Sequence, residues 1–147
     1  MPDRDLEKLR EIAVSAIGDI REHYSEAQRA AWISALPCPE GWLGILRRQT
    51  VFPGLRNNNV VGFMSLTDNG LIDYAFIRPD SQGQGLFREI YQELESFAIG
   101  AQMPMLWTNA SLVAEPAIKS VGFTAIEKQR VERSGIHLER TRMKKML

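Results

Sequence analysis

The stretch IRPDSQGQGLFREIYQELE, residues 77–95, decides the fold. It starts where an apolar, strand-like run, LIDYAFI (71–77), comes to an end. Arg78 stands before Pro79, which keeps Arg78 extended and closes the strand. Two glycines one residue apart follow. From Leu86 the apolar residues Ile90, Leu94, Phe97 and Ala98 recur at helical spacing, with Gly100 as the expected stop. Glycine allows unusual backbone angles and lets another group come close to the main chain. The first turn of a helix presents N–H groups that no carbonyl inside the helix satisfies, and their dipoles favour an anion. Gln82, Gly83, Gln84, Gly85, Leu86, Phe87 and Arg88 are therefore the expected cradle for a phosphate or pyrophosphate, Arg88 adding charge. The competing reading is that Gly83 and Gly85 only shape a tight turn. A dinucleotide fingerprint would need glycine where Arg88 stands, and a Walker loop would need Gly-Lys-Ser/Thr in place of Gly-Leu-Phe. Neither fits.

Upstream, VVGFMSL (60–66) and LIDYAFI (71–77) are β-branched and aromatic, and Asn69-Gly70 between them suits a tight hairpin turn. A further strand is expected near Thr50–Phe52. Near the N-terminus, Leu6, Leu9, Ile12, Ala13, Ala16, Ile17 and Ile20 form one helical stripe. A second helix begins at SEAQRAAWISAL (25–36), where Ser25 and Gln28 have capping-box spacing. PCPEG (37–41) breaks the chain before a short helical piece at Trp42–Arg47. Downstream, MPMLWTN (103–109) reads as a strand and Leu112–Ser120 as a helix ended by Gly122. FTAIEKQRV (123–131) and IHLERTRMKKM (136–146), parted by RSG, read as a final pair of strands. The order predicts an α+β fold over one domain, residues 1–147. Its central sheet is mixed but mostly antiparallel and flanked by helices, with one parallel step across the Leu86–Ile99 helix.

Composition narrows the function. The chain has 147 residues, 44% hydrophobic and 24% charged, enough for a real core. A formal net charge of +0 argues against a nucleic-acid partner held by phosphate attraction, and the basic tail ERTRMKKML fits a solvated strand face. The single cysteine, Cys38, permits no internal disulfide and fits a reducing cytoplasm. His23 and His137 are scattered, so no metal site is expected. The N-terminus carries no signal-peptide core, and no apolar run approaches the ~20 residues that cross a bilayer. The expectation is a cytoplasmic protein without a membrane partner.

Residues 77–98, IRPDSQGQGLFREIYQELESFA, resemble the acyl-CoA loop of the GNAT-superfamily N-acetyltransferases: strand, proline, Gln/Arg-x-x-Gly-x-Gly/Ala, helix. Gln82 and Gly85 match the first two fixed positions. NASLVAEPAIKSVGF (109–123) is similar to a second block of that superfamily, ending in the same Gly122-Phe123. YSEAQRAAW (24–32) and KQRVERSGIHLERTRMKKML (128–147) resemble one small bacterial single-domain branch. The resemblance implies acetyl-CoA as cosubstrate, bound between two splayed strands, the one ending at Arg78 and the one through Trp107. Backbone groups of Phe76, Ile77 and Arg78 would pair with the pantetheine arm, and the amides of Gln82–Phe87 would hold the pyrophosphate. A strand N–H would stabilise the oxyanion while an amine, small-molecule or peptide, attacks directly.

Two positions depart from the pattern. The third fixed position, Gly or Ala in the family, is Phe87, whose ring can turn into the core or crowd the cofactor pocket. Many members carry a tyrosine as general acid four residues before the glycine of Gly-Phe. Here that residue is Ile118, between Ala117 and Lys119. A CoA thiol, with a pKa near the ~8.5 of free Cys, can leave without an acid. Asn109 and Ser111 either bond the pantetheine or sulfur, or cap the helix that follows. Asp73, inside a strand between Ile72 and Tyr74, is either the general base or a structural partner of an Arg or backbone group, with Tyr74 on the opposite face. Glu115 reads as a favourable charge at a helix start, and His23 as a surface residue. Tyr24, Trp32 and Trp42 lie in the part that shapes the acceptor pocket in this superfamily, or belong to the core. Beside an active N-acetyltransferase stand two alternatives: a degenerate module that binds CoA without turnover, and a fold relative that binds none. The exposed edge of the final strands would allow a homodimer.

Overall fold

A computed structural model describes residues 1–147. Three helices come first: α1 (Asp3–Asp19), α2 (Glu26–Ala35) and α3 (Pro39–Arg47). Strands β1 (Thr50–Arg56), β2 (Asn59–Leu66) and β3 (Leu71–Ile77) follow, then a 3-10 turn at Pro79–Ser81 and helix α4 (Leu86–Gly100). Strand β4 (Met105–Ser111), helix α5 (Glu115–Ser120) and the hairpin β5 (Thr124–Arg133) and β6 (Ile136–Met146) complete the chain. The sheet runs β1-β2-β3-β4-β6-β5. Every neighbouring pair is antiparallel except β3–β4, which the α4 crossover joins in parallel. The fold is α+β, as the order of elements predicted.

Each face of the sheet has its own apolar layer. Leu86, Ile90, Tyr91, Leu94 and Ala98 of α4 pack on Met64, Ile72, Leu106 and Met143 from one side, with Ile118 of α5. Leu6, Leu9, Ile12, Ala13 and Ile17 of α1 and Trp42 and Leu46 of α3 pack on Phe63 from the other. Trp42 is fully buried and its indole Nε1 donates to the Leu6 carbonyl at 2.8 Å, so its ring is core. The capping box of α2 is complete: Gln28 N–H donates to Ser25 Oγ, and Ser25 N–H to Gln28 Oε1. No helix is long and apolar enough to cross a membrane.

Four local readings change. Helix α4 runs through Gly100, and the left-handed residue that ends it is Gln102, at φ 59°. Asn69-Gly70 is not a two-residue turn, because only Gly70 has positive φ. Thr67 N–H donates to the Leu71 carbonyl and Gly70 N–H to the Thr67 carbonyl, giving a three-residue loop with a left-handed glycine. Strand β1 continues past Phe52 to Arg56, its Pro53 tolerated on an edge strand. Helix α5 starts at Glu115 rather than Leu112, because β4 extends through Ser111.

Candidate functional site

Strands β3 and β4 each have seven residues, yet they pair only at Leu71–Trp107 and Ile72–Thr108. Beyond Ile72 they part. On the β2 side, Ser65 lies opposite Tyr74 and Leu66 opposite Ile72, so Asp73 is an extra residue, a β-bulge. A bulge bends its strand and re-aims the side chains next to it. Ile72 accordingly packs in the α4-side core, while Tyr74, two residues on, packs with the α1-side cluster. Tyr74, expected on the face opposite Asp73, packs with the α1-side cluster, and both residues border one cavity. Thr108 Oγ1 donates to the Ile72 carbonyl at 2.9 Å and fixes the last point of contact.

The main chains bordering the gap follow from strand alternation. Arg78 N–H donates to the Val61 carbonyl of β2 at 2.7 Å, so Ala75 and Ile77 turn their peptide groups away from β2, into the gap, whereas Phe76 and Arg78, expected to pair with the pantetheine arm, are committed to β2. Trp107 N–H donates to the Gly70 carbonyl at 2.9 Å, so Asn109 and Ser111 face the gap from β4. Two strand edges thus oppose each other inside one sheet.

The loop beyond β3 supplies the second element. Gly83 and Gly85 sit at φ 74° and 79°, a left-handed conformation that other L residues adopt only with strain. Both glycines therefore make the turn without that strain. The turn also leaves donors free: the Gln82 N–H, expected in the cradle, donates to the Pro79 carbonyl at 3.5 Å, but no amide from Gly83 to Arg88 bonds a protein acceptor, and the next engaged N–H is Glu89, on the Gly85 carbonyl at 3.2 Å. The Gln82 side chain folds back, its Nε2 donating to the Ile77 carbonyl at 3.0 Å. Phe87 turns inward against the α4-side core. Arg88 is exposed and its guanidinium lies 3.4 Å from the Ser120 carbonyl. A second cation borders the loop: Arg56 pairs with Glu89 at 3.0 Å and reaches the Gln84 carbonyl at 3.4 Å. Sequence reading missed Arg56 because it lies at the end of β1, nearly thirty positions earlier.

On the α2 side the gap opens into a cavity of about 290 Å³, bordered by α2, β3, β4, α5 and the β5–β6 hairpin. Asp73, Asn109, Ser111 and Ile118 all line it, as do Tyr24 and Trp32. Asp73 is exposed, and Gln49 Nε2 donates to its Oδ2 at 2.8 Å. Asn109 caps no helix: its Oδ1 accepts from Arg142 Nε at 3.3 Å, and that guanidinium lies 5.2 Å over the Trp107 ring. Ser111 Oγ accepts from Ala114 N–H at 3.1 Å, in the turn that enters α5. Glu115 pairs with Lys119 at 3.2 Å and accepts from Thr141 Oγ1, and His23 is exposed.

Two phenols reach the cavity. The Tyr24 hydroxyl donates to the Glu139 carbonyl and accepts from Leu112 N–H, both at 3.0 Å, and so ties β6 to the end of β4. Burial pushes its pKa up, against the bond from Leu112. Its ring meets Trp32 edge-on at 5.5 Å. Burial, aided by the Asp73 charge, pushes the Tyr74 phenol up to about 12, and the ring packs at 4.8 Å from Trp42.

Comparison with known proteins supplies the context. A family model described as an acetyltransferase (GNAT) domain matches residues 20–147. A GCN5-related N-acetyltransferase structure from Rhodopseudomonas palustris is 27% identical and superposes with a TM-score of 0.94, over 100% of this chain and 92% of that one. The PaiA N-acetyltransferase of Thermoplasma acidophilum, solved in complex with coenzyme A, is 16% identical at a TM-score of 0.81, over 100% of this chain and 96% of that one. A GNAT family acetyltransferase from Elizabethkingia anophelis with acetyl-CoA bound is 15% identical at 0.60, covering 78% of this chain and 87% of its own. At those identities the last two show the shared fold alone. No curated protein matches the sequence.

Proposed function

The chain belongs to the GNAT acetyltransferase family, and we propose that it is an N-acetyltransferase, carrying an acetyl group from acetyl-CoA directly to an amine held in the same complex. The observation that carries this reading is the run of unengaged amides from Gly83 to Arg88 at the mouth of the gap between β3 and β4. Acetyl-CoA, the cosubstrate, supplies an acyl group activated as a thioester. The Gly83–Arg88 amides would hold its diphosphate, as helix N-termini hold anions. The facing peptide groups of Ala75 and Ile77 on β3, and of Asn109 and Ser111 on β4, would take the extended pantetheine arm as a short added strand. The Ala75 N–H, the first gap-facing donor after the bulge, would donate to the carbonyl oxygen as negative charge builds there.

Asp73 is the base in this reading. It borders the cavity, and Gln49 fixes its carboxylate while one oxygen stays open to an acceptor's ammonium proton. Neither Ile118, a buried hydrocarbon, nor Tyr24, whose hydroxyl is engaged on both sides, supplies a proton to the thiolate. A thiol with a pKa near ~8.5 does not require one. Ile118 also favours the second reading, a CoA-binding module without turnover. The whole chain acts as one domain in either reading, and its exposed thiol, Cys38, suits a reducing cytoplasm.

A panel of small amines and peptides with acetyl-CoA, read by release of free thiol, tests the proposal. Turnover of at least one amine, lowered 10²-fold or more by Asp73→Asn, is the expected result for a lost general base. Binding of acetyl-CoA with no thiol released from any amine transfers the case to the silent module. Full activity in the Asp73→Asn protein removes Asp73 as the base.

A further inference from the structure

The cavity has a second charged wall that acetyl transfer alone does not use. Arg133 of β5 and Arg140 of β6 line it, across β4 from Asp73. Arg140 faces Ser111 and Gln129 in register, Arg142 faces Asn109, and cross-strand partners share a face, so these arginines stand on the cavity side of the sheet. All three are half-buried. Arg140 Nε donates to Gln129 Oε1 at 2.9 Å, and its two terminal nitrogens bond nothing in the protein. Arg133 bonds only the carbonyl of its neighbour Glu132. None of the ion pairs in the chain includes Arg133, Arg140 or Arg142, and the one carboxylate opposite them in register, Glu127 across from Arg142, accepts from Gln129 Nε2 instead. Glu139, adjacent to Arg140, also borders the cavity, where its carbonyl accepts from the Tyr24 hydroxyl, and it stands opposite Arg130 in register.

Withdrawing a cation from water without a counter-charge is costly, and a folded chain seldom leaves it so without purpose. Burial, with the charges of Arg133 and Arg142, presses the Arg140 pKa down, the mark of a cation short of negative charge. The diphosphate does not supply that charge, because no residue from Gln82 to Arg88 lines this cavity. An acceptor does, if it is anionic at one end and an amine at the other. We propose that the acceptor is a small amine bearing a carboxylate, gripped by the Arg140 and Arg133 guanidiniums while its amine reaches Asp73. The volume of about 290 Å³ is at the small end for ligand pockets and suits an amino-acid-sized molecule. Arginine forks match carboxylates bidentately. This assignment rests on the acetyl-transfer reading.

Calorimetry on protein saturated with CoA, titrated with matched amino carboxylates and their carboxamides, tests it. The expected result is at least one carboxylate binding tenfold or more tightly than its carboxamide, since a charge-assisted pair is replaced by a neutral contact. Arg140→Gln and Arg133→Gln, each checked for an unchanged circular dichroism spectrum, are expected to shrink that ratio towards one while CoA affinity holds. Equal or tighter carboxamide binding in every pair overturns the proposal. So does the absence of any amino-carboxylate binding at millimolar concentration, or a preference that survives in both variants. Failure of the acetyl-transfer reading looks different: no heat on titration with CoA, after which the same pairs titrated into free protein still test the arginines.

Discussion

Replacing Gly85 by alanine tests the amide socket directly, and Gly18→Ala is its control. An alanine Cβ at Gly85 would meet no heavy atom within 4 Å, and the same holds at Gly18 in α1. Collision therefore contributes to neither substitution. What differs is the backbone: Gly85 sits at φ 79°, where an L residue costs roughly 1–2 kcal/mol, whereas Gly18 is helical. Alanine at Gly18 is expected to stabilise by about 0.5–1 kcal/mol through helix propensity. At about 2–4 °C per kcal/mol, Tm should fall by roughly 2–8 °C for Gly85→Ala and rise by roughly 1–4 °C for Gly18→Ala. Binding separates them further. Relieving the strain rotates the peptide groups of Gly85 and Leu86, and each charge-assisted bond misaligned costs about 1.5–3 kcal/mol, a tenfold loss of affinity or more. Acetyl-CoA at a hundred times the wild-type Kd adds about 2.7 kcal/mol to wild type. After a tenfold loss it adds about 1.4 kcal/mol. Thermal melts with and without acetyl-CoA measure both quantities on one sample. A Gly85→Ala protein that melts lower yet keeps the full wild-type shift refutes the socket, because the strain would be present and the ligand indifferent to it.

Three further outcomes follow from the geometry. Tyr24→Phe leaves the Glu139 carbonyl and Leu112 N–H without their shared partner, so the urea midpoint should fall by the equivalent of about 1–3 kcal/mol with the slope unchanged. Tyr74 holds its proton up to about 12 when folded, above its ordinary 10.0, so the folded state binds that proton more tightly. Stability should therefore fall as pH rises from 10 through 12, and Tyr74→Phe should flatten that decline in urea titrations at pH 9, 10.5 and 12. Hydrogen exchange should slow at Ala75 and Asn109 when acetyl-CoA is added, since both amides face the gap. Unchanged exchange there, with exchange slowed in the 83–88 loop, would mean that the diphosphate docks while the arm stays out.

How much of this the amino-acid sequence carried depends on the range of the forces involved. The helices of the N-terminal part were legible because their signals are local: a stripe from Leu6 to Ile17, and the Ser25–Gln28 box. The Gly83/Gly85 turn was legible because positive φ favours glycine. Gly100 misled because a helix can run through glycine when the next left-handed position, Gln102, tolerates the strain. The bulge at Asp73 was invisible. It is a count of residues against another strand, Ser65–Tyr74 then Leu66–Ile72, and nothing in LIDYAFI announces it. Arg56 and the arginine wall were hidden likewise, since they join the site by tertiary packing and by strand register. Trp42 and Trp32 show the limit of type alone. Both are tryptophans on neighbouring helices, yet one is a core ring bonded to Leu6 and the other borders the cavity.

Why the sheet opens where it does is then a question of sums along β3. A parallel pair of this length would ordinarily zip to its ends, because unpaired peptide groups inside a sheet forgo bonds worth about 0.5–1.5 kcal/mol each. Three local features oppose it within seven residues. The Asp73 bulge bends β3 away from β4, the Thr108 hydroxyl occupies the last shared carbonyl, and Gln82 takes the Ile77 carbonyl at the far end. Each takes up a group that could have bridged β3 and β4, so the gap-facing peptide groups left between them have no partner in the protein alone. An extended arm entering the gap would regain those bonds along its length, while the glycine turn offers amides to an anion at one end and Asp73 stands at the cavity end. On the proposed reading, one irregular strand would then set both where the cosubstrate lies and where its acyl group meets Asp73, so that β3 and the glycine loop after it act together.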